Sequence, residues 1–481
     1  MDNSKDDSKT VVIAEGDSPH WSIVEAIEGL GGMDRFIDKD DVVFIKTTLN
    51  LPNGFPTNCN FEVLNTLIRS CLEMGAKKVL VGSYPYKGIT IKTLSDLLGL
   101  KDFLERLGAE LAYLDNSDYF GKGKIEDDLL KKLKTNSLST VNVNEKEFLV
   151  PKVILNADKF IILNQVKVHP LFKFTSAILN AYSMIPNNYQ NINPKKEDEY
   201  ISNDEYKKDL ISNILDVFTI RPPDLIFNDL YYILEGAGPY IYRDSHLHST
   251  KMIIAGRNAL GVDMITSKLL NLDILKNDLI SEAKKRDFGL KDISELEISG
   301  KDINSLEVDI ELCSPILKNI DLHGMNIHTG EHCSGCWVQA YHLLNLMKSN
   351  MIKDLKYNPN NRFLIGKNPK LPDTEQDDHE SKANILLFGD CAIDSTKDSD
   401  FRAKSIEKRA LTPPFKKVQK TKQNKNILEL PGCPPDIIDC VEKMVEYYKK
   451  SNAPTLNVFL KTIKSYLHQS QKEILEKWEG I

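Results

Sequence analysis

No stretch of this 481-residue chain approaches the roughly 18 uninterrupted apolar residues of a membrane-spanning helix. The polar opening MDNSKDDSK is followed by no apolar leader segment, so the pattern of a secretory signal is missing. Positive charge is not in excess. Against 69 Asp and Glu stand 62 Lys and Arg, a formal net charge of −7, which excludes the basic field of a general nucleic-acid binder. No Walker sequence occurs. Gly236 and Gly238 form a G-x-G with no third glycine and no helical pattern behind it, so a dinucleotide fingerprint is also lacking. No internal repeat is found. These absences lead to the expectation of a cytoplasmic protein with neither membrane nor nucleic-acid partner. Disulfides are rare in that compartment, so the eight cysteines call for another role.

What is present begins with alternation. TVVIAEG and DVVFIKTTL read as buried strands. FEVLNTLIRSCLEMGA reads as a helix ending at Gly75, and KKVLVGSYP as the next strand. Strand, helix, strand with short joints is a βαβ unit and predicts parallel pairing. AELAYLD, ADKFIILNQVK, PDLIFNDLYYIL and KMIIAGRN continue the strand pattern, with helix-like TSAILNAYSMI and ALGVDMITSKLLN among them. The Asn-, Lys- and Glu-rich segment 186–206 reads as an exposed loop. The expected fold is α/β: a mostly parallel or mixed sheet with helices on both faces, over residues 1–310. Residues 311–440 read as a cysteine-rich α/β module with polar and basic segments between short strands, and 441–481 as C-terminal helices.

The module concentrates unusual chemistry. In LELPGCPPDIIDC, Cys433 stands at a turn between a strand and a helix rather than inside either. Cys391 ends the strand ILLFGDC, and Cys333 and Cys336 form HCSGC. Two thiols from one turn and two from strand ends are expected to converge, giving four ligands for a [4Fe-4S] cluster or for zinc. Pro434 and Pro435 favour the cluster, because proline beside a ligand cysteine is common at such sites, and Gly432 lets the backbone approach a bulky group. The zinc alternative draws on His328 and His332, four residues apart and followed at once by Cys333. Gly389–Ala392 and Pro431–Pro435 resemble the G-x-C-A and P-G-C-P-P segments at the cluster of the small subunit of nickel–iron hydrogenases and its relative in respiratory complex I. Their adjacent-cysteine motif is absent, and Cys333 and Cys336 stand in its place. The resemblance implies shared site chemistry rather than a shared fold.

The first part carries a second resemblance. DVVFIKTTLN, LIRSCLEMGAKKVLVGS, LNADKFIILNQVKVHPLFKFTSAILNAYSMIP, DLIFNDLYYILEGAGP and IIAGRNALGVDMITSKLLN occur in the order typical of the family known as domain of unknown function 362. The usual Pro-Asn after the first lysine is Thr47–Thr48 here, and the usual Lys-Asn is Leu179–Asn180. The resemblance implies an α/β fold and candidate positions, not a reaction. Lys46, Lys167, His169 and Asp263 are the candidate catalytic residues, and Lys173, Asn180, Asp229 and Glu235 the candidate substrate-binding residues. Cations and carboxylates gathered at strand ends suit a small anionic substrate and proton transfer. Plainer readings stay open: surface lysines, a histidine capping a strand end, and aspartates acting as structural acceptors.

The combined expectation is an iron–sulfur protein, a redox-linked enzyme on a small anionic substrate, with an oxidoreductase reaction unspecified. The alternative is a non-catalytic electron-transfer or docking protein with a structural zinc or iron–sulfur site, partnered by an electron-transfer protein. At fold level the strand–loop–helix pattern also resembles nickel enzymes of the lactate-racemase type.

Overall fold

A computed structural model describes residues 7–86, 89–117, 137–186, 197–370, 383–399, 401–402 and 426–461. The basic segment 403–425 and the end of the last predicted helix lie outside them. The chain divides into two units. The first comprises Met1–Asn191, Leu210–Cys313 and Ile463–Ile481; the second comprises Ile192–Asp209 and Ser314–Thr462.

The strands of the first unit are β1 (Thr10–Glu15), β2 (Val42–Thr47), β3 (Lys78–Gly82), β4 (Glu110–Leu111), β5 (Leu138–Val143), β6 (Lys146–Pro151), β7 (Lys159–His169), β8 (Lys173–Phe174), β9 (Leu225–Gly236), β10 (Ser245–Ser249), β11 (Met252–Gly256) and β12 (Glu297–Gly300). The main sheet runs β12-β1-β11-β9-β7-β2-β3-β4, with β10 paired to β9 and β8 to β7; β5 and β6 form a separate hairpin. The middle of the sheet, β9-β7-β2-β3, is parallel, whereas β11 pairs antiparallel with both β1 and β9. The fold is therefore α/β on a mixed sheet. β7 is a nearly continuous apolar run because it is flanked on both sides and covered on both faces. The helix Phe61–Glu73 returns the chain from β2 to β3. Asn60 starts it by accepting from the Glu62 N–H, and Gly75, at φ 90°, turns the chain out of it.

The second unit holds a four-stranded sheet, β13 (Met325–Thr329), β14 (Asn361–Ile365), β15 (Asn384–Phe388) and β16 (Ile427–Leu430), paired in sequence order and parallel throughout. The long helix Ser334–Asn350 follows β13, the helix Asp390–Ser395 follows β15, and the helix Ile437–Tyr448 follows β16. The segment KYNPNNRF, which reads as polar, is corrected: its end belongs to NRFLI, wholly buried as β14. The loop expected over 186–206 is corrected within the described residues. Glu197–Asn203 is helical and Tyr200 is buried. Its aromatic side chain finds a core that charge density alone hides.

Candidate functional site

Successive residues of a strand point to opposite faces of its sheet. Lys46 and Thr47 close β2, Asn164 and Gln165 lie in β7, and Asn228 and Asp229 in β9, each an adjacent pair split between the two faces. Asn164 is in register with Asn228, and Gln165 with Asp229. Two different polar clusters result, one per face.

On one face a chain of buried amides connects a lysine to an aspartate. Lys46 Nζ donates to Asn180 Oδ1 and Ser183 Oγ, both at 2.6 Å, and to Thr47 O at 3.2 Å. Asn180 Nδ2 donates to Thr48 Oγ1 (2.8 Å) and Asn164 Oδ1 (3.1 Å). Asn164 Nδ2 donates to Asn228 Oδ1 (2.9 Å), and Asn228 Nδ2 to Asp263 Oδ1 (3.0 Å). Asp263 also accepts from the backbone N–H groups of Ala177 (2.7 Å) and Ile178 (3.0 Å), at the start of the helix Ala177–Ala181 that carries Asn180. Burial pushes its carboxyl up to about 6 against these donors. Its oxygens thus hold a helix in place, the plain acceptor reading rather than the catalytic one.

The opposite face collects Thr47, Gln165 and Asp229, with Cys59 and Lys167 beside them. Lys167 Nζ donates to Thr57 O at 2.7 Å. Burial brings its ammonium down to about 7, partly offset by Cys59. Burial, and then Lys167, hold Lys46 well below the ordinary lysine value. Burial raises Asp229 to about 7, opposed by the Tyr231 N–H at 2.9 Å. Burial raises Cys59 to about 11, with the Thr47 hydroxyl lowering it and the Asp229 charge adding to the rise. The surface-lysine reading is excluded for both lysines, which are fully enclosed.

The remaining predicted residues sit apart from this cluster. His169 is half-buried at the end of β7. Its Nδ1 accepts from the Leu171 and Phe172 N–H groups, both at 3.2 Å, and its ring stacks on Phe172, so it shapes the turn into β8. Lys173 lies in that short strand with φ 67°. Glu235 Oε2 accepts from the Glu311 N–H at 3.0 Å and lies 3.6 Å from His248 Nδ1. A surface cavity of about 330 Å³ in the same unit is lined by Phe218, Arg257, Asn258 and Phe288 among others, and by none of the predicted residues.

In the second unit all four predicted cysteines follow the carboxyl ends of parallel strands. Cys333 caps the helix Ser334–Asn350 and Cys336 lies in its first turn. Cys391 lies in the first turn of the helix Asp390–Ser395, and Cys433 in the turn leading to the helix Ile437–Tyr448. Thiolates are favoured where free N–H groups converge at helix starts. The Cys336 thiol donates to Cys333 and holds it below its ordinary value, helped by the Cys336 and Gly335 N–H groups. Cys336 is pushed up by that bond, by burial, and by the neighbouring Cys333, Cys391 and Cys433 charges. Cys336 therefore feels the other three sulfurs. Asp390 ties two of their loops together: its Oδ1 accepts from the Gly432 N–H at 2.8 Å, and its N–H donates to Gly432 O at 3.2 Å.

Gly389 holds a further constraint. Its φ is +87°, and a Cβ there would lie 3.2 Å from Cys336 Sγ. The sequence reading missed Asp204 and Tyr206. Asp204 caps the cysteine helix by accepting from the Ser334 N–H (3.2 Å) and hydroxyl. The Tyr206 ring lies so close to Gly335 that a Cβ there would be 2.8 Å from it. Burial raises the Tyr206 hydroxyl above its ordinary value, and the Cys333 and Cys336 charges add to this. No spacing motif links 204–206 to the cysteines, so only the aromatic pair Tyr200 and Tyr206 offered a signal. Among the described residues no group of three or more His, Cys, Asp or Glu is arranged to hold a single metal ion. His328 and His332 turn their Nδ1 atoms to Lys370 O (3.1 Å) and Gly330 O (2.8 Å), which gives the zinc alternative no histidine ligand through those atoms.

No curated protein matches the chain. The lactate racemase apoprotein from Thermoanaerobacterium thermosaccharolyticum aligns over 76% of this chain and 71% of its own at 11% identity, with a TM-score of 0.33. A structural-genomics target from Thermotoga maritima aligns over 88% of this chain and 91% of its own at 12% identity, with a TM-score of 0.28. The amide chain and the lysine–cysteine cluster both fall inside residues 43–268, the stretch that matches the family model described as Domain of unknown function (DUF362).

Proposed function

We propose that this chain is an iron–sulfur protein and a redox-linked enzyme on a small anionic substrate. One observation carries the reading: Cys333, Cys336, Cys391 and Cys433 follow the carboxyl ends of strands of one parallel sheet, three of them at helix starts and Cys433 in a turn, and Cys336 feels the other three. The donor set fits a four-iron cluster. It is all thiol, and Gly389 provides room beside Cys336 that any side chain would fill. Such a cluster has a ligand at each corner, so its cysteines stand farther apart than those around one ion. When bound and fully cysteine-ligated, the cluster supplies one-electron transfer.

The chain's own residues supply the rest. Helix-start N–H groups stabilise the Cys333 thiolate, and Asp390 fixes the Cys391 and Cys433 loops against each other. In the first unit, Lys167, which uses one of its hydrogen-bond donors on Thr57 O, is the enclosed side chain that would meet an anion, while Lys46 is tied into the amide chain. Lys167 and Asp229, both moved to about 7, suit proton transfer near neutral pH. The test is anaerobic purification followed by iron, sulfide and zinc analysis and visible spectra, on the wild type and on Cys433→Ser. About four irons and four sulfides per chain, lost in the variant, are the expected result. One zinc without sulfide would replace the cluster by a structural metal. Iron loss with full turnover of an identified substrate would remove the redox step from the reaction.

A further inference from the structure

Cys333 and Cys336 differ from the other two predicted ligands in sharing one helix start. Cys333 caps the helix Ser334–Asn350 with an extended backbone, φ −83° and ψ 167°, and Cys336 is the third residue of that helix. A side chain at a cap folds back over the first turn, and here the two thiols meet: the Cys336 S–H donates to the Cys333 sulfur. Cys391 and Cys433 come from two further loops, which the Asp390–Gly432 hydrogen bonds hold to each other at 2.8 and 3.2 Å. A bond between Cys333 and Cys336 closes within one helical turn and leaves those hydrogen bonds in place.

A C-x-x-C pair with its first thiol at the cap and its second in the first turn is the arrangement of reversible dithiols. Both thiols are buried, at 5% and 2% exposed, and the Tyr206 ring lies on the Gly335 between them. That cover suits an oxidant as small as a hydroperoxide. The chemistry balances with hydrogen peroxide as the oxidant. One thiol takes an oxygen from the peroxide and becomes a sulfenic acid, and the first water leaves. The neighbouring thiol then displaces that oxygen as a second water, and the S–S bond remains. The two sulfurs give up two electrons and the peroxide takes them. A sulfur held in a disulfide is no longer a thiolate, so this bond and ligation of iron exclude each other. That consequence rests on the four-cysteine reading above; the bond itself does not.

We propose that Cys333 and Cys336 form a reversible disulfide under hydroperoxide, and that this bond closes the four-cysteine site to iron until it is reduced. The experiment treats the full-length, metal-free protein with an equivalent of hydrogen peroxide. Remaining thiols are blocked with iodoacetamide in denaturant, the disulfide is reduced, and the released thiols are labelled with N-ethylmaleimide and mapped by mass spectrometry. Two of the eight cysteines, Cys333 and Cys336, are expected to carry the second label. In a parallel sample, uptake of iron and sulfide without a thiol reductant is expected to be several-fold slower in the oxidised protein than in the reduced one, and to recover after dithiothreitol. The second label on Cys391 or Cys433, or on no cysteine, would overturn the pairing. The expected disulfide with an unchanged rate of iron uptake would overturn the closure. A reduced protein that takes up no iron would remove the cluster reading and with it the closure, whereas the labels would still decide the disulfide.

Discussion

The two units put chemical groups at the same kind of place and hold them in opposite ways. In the first, the polar residues belong to the strands themselves: Lys46 in β2, Asn164, Gln165 and Lys167 in β7, Asn228 and Asp229 in β9. The pleat fixes where each can point, and neighbouring amides tie most of them down. In the second, the cysteines lie beyond the strands. β13 ends at Thr329 before Cys333, β15 at Phe388 before Cys391, and β16 at Leu430 before Cys433. Short turns can aim a thiol at a common centre both from the neighbouring strands β15 and β16 and from the more distant β13. The difference separates two uses of a parallel sheet. Strand-borne groups are pre-organised by the fold, whereas turn-borne groups are organised by what they bind.

The sharpest test of turn placement is to alter, within the second unit, one cysteine that follows a strand and one that lies inside a helix. Cys391 lies in the first turn after β15, whereas Cys440 is buried inside the helix Ile437–Tyr448, and burial pushes its thiol up to about 12. Cys391→Ser is expected to lose essentially all bound iron after anaerobic reconstitution, and Cys440→Ser to keep it. Equal iron in the two variants would mean that turn placement has no bearing on ligation.

Next in size is the cost of cutting a strand-side network. Asp263→Ala leaves the Ala177 and Ile178 N–H groups and the Asn228 amide without their acceptor. A loss on the order of 3 kcal/mol in chemical denaturation is expected. Asp390→Ala releases a single backbone donor, that of Gly432, and should cost about 1 kcal/mol. Comparable losses would show that the loops of the second unit are as tightly held as the strands of the first.

A smaller effect comes from the enclosed cation. Lys167 stands at about 7 in the folded protein, against 10.5 unfolded. Between those values the unfolded chain carries a proton that the folded one lacks, so stability rises with pH across the window. Below about pH 7 both forms are charged and the penalty of burying the ammonium is present in full. Lys167→Met keeps the aliphatic stem and removes the charge. It should flatten the rise and stabilise the protein at pH 7 by on the order of 2 kcal/mol in buffer free of oxyanions. A denaturation midpoint that still climbs from pH 7 to 10 in the variant would assign the rise to another group.

Much of this was legible in the sequence because apolar periodicity marks strands that are buried on both faces. β1, β2, β7, β9 and β11 fall where their Val- and Ile-rich runs predict, and the family match, over residues 43–268, takes in all of these but β1 and the first residue of β2. The antiparallel placement of β11 was not legible, since a buried strand reads the same in either direction. Cys391 and Cys433 stood out by lying past a strand, and Lys46 by ending one. The roles of Asp263 and His169 were hidden because both bond to backbone N–H groups, which leave no mark in the sequence. Asp204 and Tyr206 were hidden for another reason: they lie more than a hundred residues from the cysteines whose helix they cap and cover.

That cover provides the finest test of the contrast between turn-borne and strand-borne groups. Tyr206 lies against Gly335, between Cys333 and Cys336, and its ring is itself met edge-on by Tyr200 at 6.0 Å. A turn that is organised only by its ligand would leave these thiols open to reagents in the metal-free protein; a turn that is also covered by an aromatic ring would not. Tyr206→Ala removes the ring, while Asp204 still caps the helix through Ser334. Alkylation of Cys333 and Cys336 by iodoacetamide in metal-free protein should then speed up several-fold, with no change at Cys71, which is buried in the first unit. Tyr206→Phe should behave as wild type, because the covering is done by the ring and not by the hydroxyl. Unchanged alkylation in the Ala variant would leave the cysteine turn protected by its own helix packing, and Tyr206 would be a neighbour without a role in guarding it.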